Sequence, residues 1–330
     1  MPSPIVAHIL GTGSYLPERI LCNRQLEELV DTSDEWIFSR TGIRERRIAA
    51  DDEFPSTMGT RAAERALEAA ELNPGDIDLI IVATMTPDYI SSSTAALIQH
   101  QLGASRAAAM DLQAACSGFI YGLATAQAFV ASGLYRHVLL VATEKMSSVM
   151  DYQDRSSCIL FGDGATAVVV GPEARGLKLG PFCLHADGQH VDLISVPAGG
   201  ARLPTSQQTV EQRQHYMLLS GNEVYKLAVR AMTTAAQQCL EMAEIDIQEL
   251  SWLVPHQANE RIIDSVAKSC NLPLTKVFKT IHKYGNTSAS SIGIALDELL
   301  RTTPLASDAT ILLIAFGAGL TWGASVLKKI

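Results

Sequence analysis

The chain has 330 residues, of which 47% are hydrophobic and 18% charged, and a formal net charge of −9. At this length folding buries about three-quarters of the unfolded surface, so neither disulfides nor a structural metal is required. The acidic balance argues against non-specific nucleic-acid binding. Six scattered cysteines (Cys22, Cys116, Cys158, Cys183, Cys239, Cys270), with no Cys-x-x-Cys pair and no Cys/His cluster, argue against a disulfide framework and a zinc site.

The opening MPSPIVAHILGTGSYLPE has no basic region followed by a long apolar run, and no uncharged stretch reaches the roughly 18 apolar residues of a membrane span. A cytoplasmic protein is expected. Residues 5–12 read as a short strand ending in Gly11-Thr12-Gly13, with a turn at Pro17. Asn23 is expected to cap a helix through Val30. Thr32-Ser33-Asp34-Glu35 starts another helix with acidic residues near its N-terminus, and it carries Trp36 and Arg40 one turn apart. Residues 56–72 have amphipathic helical spacing, and 78–84 (DLIIVAT) form the continuous apolar run of a buried strand.

A helix over 93–102 follows, then an apolar run from Ala107 to Met110 that stops at Asp111. Phe119, Ile120, Leu123, Ala126, Phe129 and Val130 recur at helical spacing, and Cys116 stands where that helix begins, among Ala114, Ala115, Ser117 and Gly118. A thiol there meets the positive end of the helix dipole, which favours the thiolate; the alternative is a small buried hydrophobe. Residues 137–143 (HVLLVAT) are the next buried strand. Residues 159–170, with Gly162-Asp163-Gly164 inside, are a strand pair or one strongly bent strand.

The second half repeats the order. Helix 221–242, strand 250–254 (LSWLV) and helix 260–270 lead to an extended segment, 277–281. A helix ending near Leu300, strand 310–315 (TILLIA) and a last strand, 324–327, complete it. The repetition predicts a duplicated α/β unit with largely parallel strands, divided into residues 1–174 and 175–330, with 198–214 as a surface excursion.

In open α/β sheets, groups at the carboxyl ends of strands gather in one crevice. His256 directly follows LSWLV and Pro255, Asn286 precedes a helix, and Cys116 occupies the corresponding junction of the first half. A thiol beside an imidazole is an activated nucleophile, and an amide nearby holds charge or orients the ring. Singly, the plainer readings are a capping or core histidine and a turn asparagine. GAGLTWG at 317–323 leaves no room for the rest of a dinucleotide-binding unit; its glycines let the backbone approach the thiol and offer an N–H. Cys, His, Asn is also the chain order of papain-like hydrolases. Those carry the Cys near the mature N-terminus with a Trp after it, whereas Cys116 is deep in an α/β unit.

Seven motifs carry a resemblance: AACSGF around Cys116, HQANERI (256–262), YGNTSASS (284–291), FGDGA (161–165), GAGLTWGAS (317–325), GTGSYLP (11–17) and TSDEWIFSRTGIRERR (32–47). Together they resemble β-ketoacyl-acyl-carrier-protein synthase III. The resemblance implies the thiolase fold, duplicated α/β halves in a layered αβαβα arrangement, and a homodimer. It implies a decarboxylating Claisen condensation that starts fatty-acid synthesis, with no metal or cofactor. Cys116 would take an acyl group from acyl-CoA, typically acetyl-CoA, and His256 and Asn286 would support decarboxylation of malonyl-acyl carrier protein. Backbone N–H groups of Cys116 and Ala318 would hold an oxyanion. Trp36, Arg40, Thr41, Arg155 and Asn259 would contact CoA, and Gln257, Ala258, Asn259, Glu260 and Arg261 would dock the carrier protein.

The basic residues from Arg261 through Lys268, Lys276, Lys279 and Lys283 suit an acidic partner or are ordinary solvated charges. Ser91 and Phe316 would belong to the primer pocket. Several relatives carry a bulky aromatic at the Ser91 position, reaching across the dimer, so primers longer than acetyl are expected to be tolerated; the alternative is that Tyr89 or Ile90 fills the gap. The alternative is a same-fold ketosynthase of secondary metabolism with another acyl donor or acceptor.

Overall fold

Residues 5–330 are described by a computed structural model; the first four residues of the opening segment read above lie outside the described residues. The main sheet contains β1 (His8–Tyr15), β2 (Leu79–Ala83), β3 (Ala108–Leu112), β4 (Val138–Glu144), β5 (Gly164–Gly171), β6 (Leu177–Ala186), β7 (Trp252–Pro255), β8 (Thr310–Gly317) and β9 (Thr321–Lys329). Their order in space is β7-β8-β9-β6-β1-β5-β4-β2-β3. Strands from early in the chain fill one end and strands from late in the chain the other. Within the sheet the two ends join where His8 and Ile9 of β1 pair with Lys178 and Leu177 of β6.

The pairing repeats as well as the order. β3, β2 and β4 run parallel, and β5 and β1 continue antiparallel; β7 and β8 run parallel, and β9 and β6 continue antiparallel. The sheet is therefore mixed, which corrects the expectation of largely parallel strands. Apolar runs report burial, not direction; the short connection at residues 318–320 forces β8 and β9 to be antiparallel.

Both faces of each half are covered. In β2, Leu79, Ile81 and Ala83 join one core while Ile80 and Val82 join another. In β8, Ile311, Leu313 and Ala315 join that same first core while Leu312, Ile314 and Phe316 join a third. This alternation explains why strands buried on both faces read as unbroken hydrophobic runs. Seven helices matter here: α1 (Asp34–Thr41), α2 (Pro55–Ala70), α3 (Thr94–Leu102), α4 (Gly118–Ala131), α5 (Gly221–Ala243), α6 (Glu260–Ser269) and α7 (Ser290–Thr302). α2 covers one outer face, α5 the other, and α4 and α7 fill the space between the halves. The layers are αβαβα, as expected. Full burial of Phe119, Ile120 and Leu123 on α4 contributes about 1.5–3 kcal/mol per side chain.

Three local expectations are corrected. Asn23 does not cap a helix through Val30: the helix there is only Asn23–Leu26. The buried Asn23 amide instead donates to Asp34 Oδ1 and Ile43 O and accepts from Arg46, so its polar groups are satisfied across the chain. Residues 159–163 are not strand, because the buried Asp163 carboxylate turns the chain by accepting from Ala49 N, Ser147 N and Ser147 Oγ. The segment 277–281 makes a single bridge, Val277 to Leu253. Beyond it the N–H groups of Thr280 and Ile281 donate to the Gln257 side chain and not to a strand.

β1 lies directly against α2 because Gly11 and Gly13 carry no side chain. A Cβ on Gly13 would strike the carbonyl of Ala62 and the amide of Ala66, both backbone atoms. Gly13→Ala is therefore expected to cost about 1–3 kcal/mol by overpacking, read as a lower urea midpoint. Gly75→Ala, with open space around it, should stay within about 0.5 kcal/mol. Equal midpoints for the two variants would contradict the packing described.

Candidate active site

The carboxyl ends of β2, β3, β7 and β8 open toward one cavity, lined by Cys116, His256, Asn286, Phe316 and Ala318 with an apolar wall that includes Met85, Phe161 and Met217. Cys116 sits in the short turn Ala115–Ser117 that enters α4. Ala115 before it has a left-handed φ of 44°, a conformation that costs a non-glycine residue about 1–3 kcal/mol. The surroundings enforce it. Ser117 Oγ donates to Thr321 O and Thr321 Oγ1 donates to Ala114 O, each at 2.9 Å. Gly317 lies so close that a Cβ there would sit 2.7 Å from Cys116 N and 3.0 Å from Ser117 N.

His256 follows β7 and is buried. Its Nδ1 lies 2.7 Å from Ser291 Oγ, which also accepts from Gln257 N at 3.3 Å. His256 Nδ1 is the acceptor available to that hydroxyl among the described residues, which assigns the imidazole hydrogen to Nε2. Asn286 Oδ1 accepts from Ser288 N at 2.9 Å, leaving its NH2 as the donor for the cavity. Burial pulls His256 down to about 3 and pushes the Cys116 thiol up to about 12, with the Glu144 charge adding and the Ser288 contact opposing. The resting pair is a neutral thiol and a neutral imidazole. This corrects the thiolate expected from the helix N-terminus: desolvation outweighs the dipole.

The outer residues divide. Trp36 is half-buried, with the guanidinium carbons of Arg155 and Arg40 at 4.8 and 5.9 Å from its ring centroid. Asn259 caps α6 by accepting from Arg261 N and donates to Arg40 O, tying α1 to the cavity mouth. Thr41 is buried, and its hydroxyl donates to Ile37 O and accepts from Ile43 N. The side chain ends α1 and is not presented to a ligand, a correction. Gln257 is also corrected as a docking side chain. It is 1% exposed, and its amide spans Pro255 O and the N–H groups of Thr280 and Ile281. Ala258 lines the cavity.

Glu260 pairs with Lys279, which also reaches Asp264, and Lys283 pairs with Glu298. Arg261 remains exposed beside the Tyr225 ring. Ser91 lies in an exposed loop and not along this cavity. Glu144, Ser288 and Ser291 were assigned no role from sequence. The signal for Glu144 was a carboxylate placed directly after the buried run HVLLVAT.

Family models described as 3-oxoacyl-[acyl-carrier-protein] synthase III and its C-terminal region match residues 110–188 and 240–329. The β-ketoacyl-[acyl-carrier-protein] synthase III of Chlamydia muridarum is 53% identical, over 98% of this chain and 99% of that protein. The chain belongs to the 3-oxoacyl-[acyl-carrier-protein] synthase III family. The crystal structure of the Aquifex aeolicus synthase III superposes with a TM-score of 0.90 at 45% identity, covering 98% of this chain and 99% of that one. The priming β-ketosynthase of the R1128 polyketide pathway superposes at 0.92 with 39% identity, covering 100% and 98%. The fold is the thiolase fold of these condensing enzymes, and the chain is an acyltransferase of that family.

Because the folded value of His256 lies far below the ordinary 6.5, its ring should stay neutral from about pH 5 to 8, and acid should favour the unfolded chain from about pH 6.5 downward. Ring-nitrogen NMR shifts of His256 that move between pH 5 and 8 would contradict the neutral pair.

Proposed function

We propose that the chain condenses an acyl group from acyl-CoA, acetyl-CoA first, with malonyl-acyl carrier protein, releasing CO2 and giving 3-ketoacyl-acyl carrier protein to start fatty-acid synthesis. The observation that carries this reading is the convergence of Cys116, His256 and Asn286 on one apolar cavity in a synthase III chain. Cys116 Sγ attacks the acyl thioester, and the backbone N–H groups of Cys116 and Ala318 receive the developing oxyanion. The contact between Gly317 and the Cys116 peptide brings these two backbones together. His256 Nε2–H and the Asn286 NH2 then hold the malonyl thioester oxygen as CO2 leaves, and the carbanion attacks the acyl-Cys116 carbonyl. A neutral imidazole suits this task, because it donates a hydrogen bond to the enolate without giving up its proton.

Trp36, between Arg40 and Arg155, is the platform for the CoA adenine, since a ring face and guanidinium planes stack on a base. Asn259 sets the spacing of that platform from the cavity. Arg261 is the exposed cation for the acidic carrier protein, and Glu260 holds Lys279 beside it. The halves 1–174 and 175–330 act as the duplicated units, each supplying one side of the cavity. The working form is a cytoplasmic homodimer in which the Ser91 loop, with Tyr89 and Ile90 exposed, meets the partner's primer pocket, and Phe316 walls this chain's own. Among the described residues, no helix is long and apolar enough to cross a membrane. Likeness to a polyketide priming enzyme keeps secondary metabolism as the second reading, separated by product analysis with a panel of acyl-CoA primers.

Cys116→Ala should abolish the acyl-enzyme seen by intact-protein mass spectrometry. His256→Ala and Asn286→Ala should still acylate but lose decarboxylation by about 10²–10³-fold; a stable acyl-enzyme in Cys116→Ala would overturn the assignment. Arg261→Glu should raise the KM for malonyl-acyl carrier protein several-fold and flatten its salt dependence, while acylation by acetyl-CoA continues. Parallel loss of both half-reactions would point to general damage instead.

A further inference from the structure

Glu144 ends β4 fully buried, and no step above uses it. Its Oε2 accepts from Thr86 Oγ1 at 2.7 Å and Thr84 Oγ1 at 3.2 Å, and Met85 N–H lies 3.2–3.3 Å from both oxygens. Its Oε1 accepts from Ser288 Oγ at 3.1 Å, and that hydroxyl lies 3.6 Å from Cys116 Sγ. A hydroxyl has one hydrogen to give. With Glu144 ionised, that hydrogen points at the carboxylate, so a lone pair of Ser288 Oγ faces the thiol hydrogen. The direction is thereby set, from S–H to Ser288 and from Ser288 to Glu144. The threonines and the Met85 amide already hold the carboxylate within its own half of the chain. The Ser288 arm comes from the other half, on a residue held at a left-handed φ of 51°, and it ends on sulfur.

We propose that Ser288 and Glu144 form the path by which the Cys116 thiol gives up its proton during acyl transfer. Ser288 is the catalytic residue touching the sulfur, and Glu144 is the positioning residue behind it. This rests on Cys116 being the nucleophile. As the new S–C bond forms, the S–H bond breaks, Ser288 takes that proton, and Ser288 passes its own to Glu144. The negative charge moves from the carboxylate through sulfur to the carbonyl oxygen. When the intermediate collapses, the bond to the CoA sulfur breaks. That sulfur takes a proton from Ser288, which Glu144 replenishes. A thiol and a thioester exchange partners, and Glu144 ends as it began.

The geometry is supported by the acidity of the carboxyl, which burial raises to about 7 against its hydrogen bonds. Cys116 is the titratable group facing it from the α4 side. The segment after β2 brings threonines and an amide, the turn before α7 brings Ser288, and Lys145, next in the chain, sends its ammonium away to Ala50 O and Glu53 O.

The test is single-turnover acylation of the full-length protein by acetyl-CoA across roughly pH 5.5–9, with the acyl group mapped by peptide mass spectrometry. The native rate should rise through about pH 7 and level off as Glu144 ionises. Glu144→Gln should lose that inflection and fall about 10²-fold at neutral pH. Ser288→Ala, which keeps the backbone bond to Asn286, should do the same and decides the matter if the Gln variant folds poorly. An unchanged inflection in either folded variant overturns the relay alone. An acyl group found elsewhere than Cys116 in the native protein overturns the nucleophile assignment itself.

Discussion

The site depends on one close approach of two backbones. Gly317, at the end of β8, lies against the amides of Cys116 and Ser117 with no room for a side chain. β8 belongs to the late half of the chain and Cys116 to the early half, so this contact sets the halves in register at the nucleophile. The helices packed between the sheets make it possible. A Cβ on Gly118 of α4 would lie 3.3 Å from that of Ala289, just ahead of α7, so the two helix starts meet with only small residues between them. Each half thus ends its helix entry at the same cavity, one with a thiol and the other with Asn286 and Ser288.

Burial dominates the electrostatics of that cavity. A helix N-terminus supplies about half an elementary charge over its first turn, but removing the thiol from water costs the thiolate more. The thiol, the imidazole and the carboxyl of Glu144 are all shifted toward their neutral forms by the same cause. Neutral groups are useful here. An imidazole that keeps its proton donates to an enolate, and a thiol with a directed partner for its hydrogen forms a nucleophile only as bonding begins. The neutrality is a product of packing, so it is tuned by the apolar wall as much as by the polar residues.

Outside the cavity, the same residue types serve structure and recognition side by side. Gln257 and Asn259 are two positions apart, yet one is sealed inside, replacing a missing strand by holding Thr280 and Ile281, and the other caps a helix at the mouth. Of the basic stretch beginning at Arg261, Lys279 and Lys283 are held in ion pairs with Glu260, Asp264 and Glu298. Partly exposed pairs of this kind contribute modestly to stability, and they leave Arg261, Lys268 and Lys276 as the cations of this stretch outside the described ion pairs.

The sequence by itself determined the buried strands, the duplicated order of elements and the convergence of Cys116, His256 and Asn286, while the αβαβα layering was implied by its family resemblance. It could do so because hydrophobic period and strand-to-helix junctions are local properties, and a parallel βα junction sends its residues to one edge. Only the tertiary structure decided the rest. Strand direction followed from connections and partners, which apolar runs do not encode. Thr41 and Gln257 were read as contacts because they sit inside motifs, but their hydrogen-bond partners lie in segments that proximity in sequence does not reveal. Glu144 went unassigned for the same reason: Ser288 lies 144 positions away in the chain and Cys116 stands beyond it. The protonation of the site was likewise undecidable from residue types, since a pKa depends on the water that packing excludes.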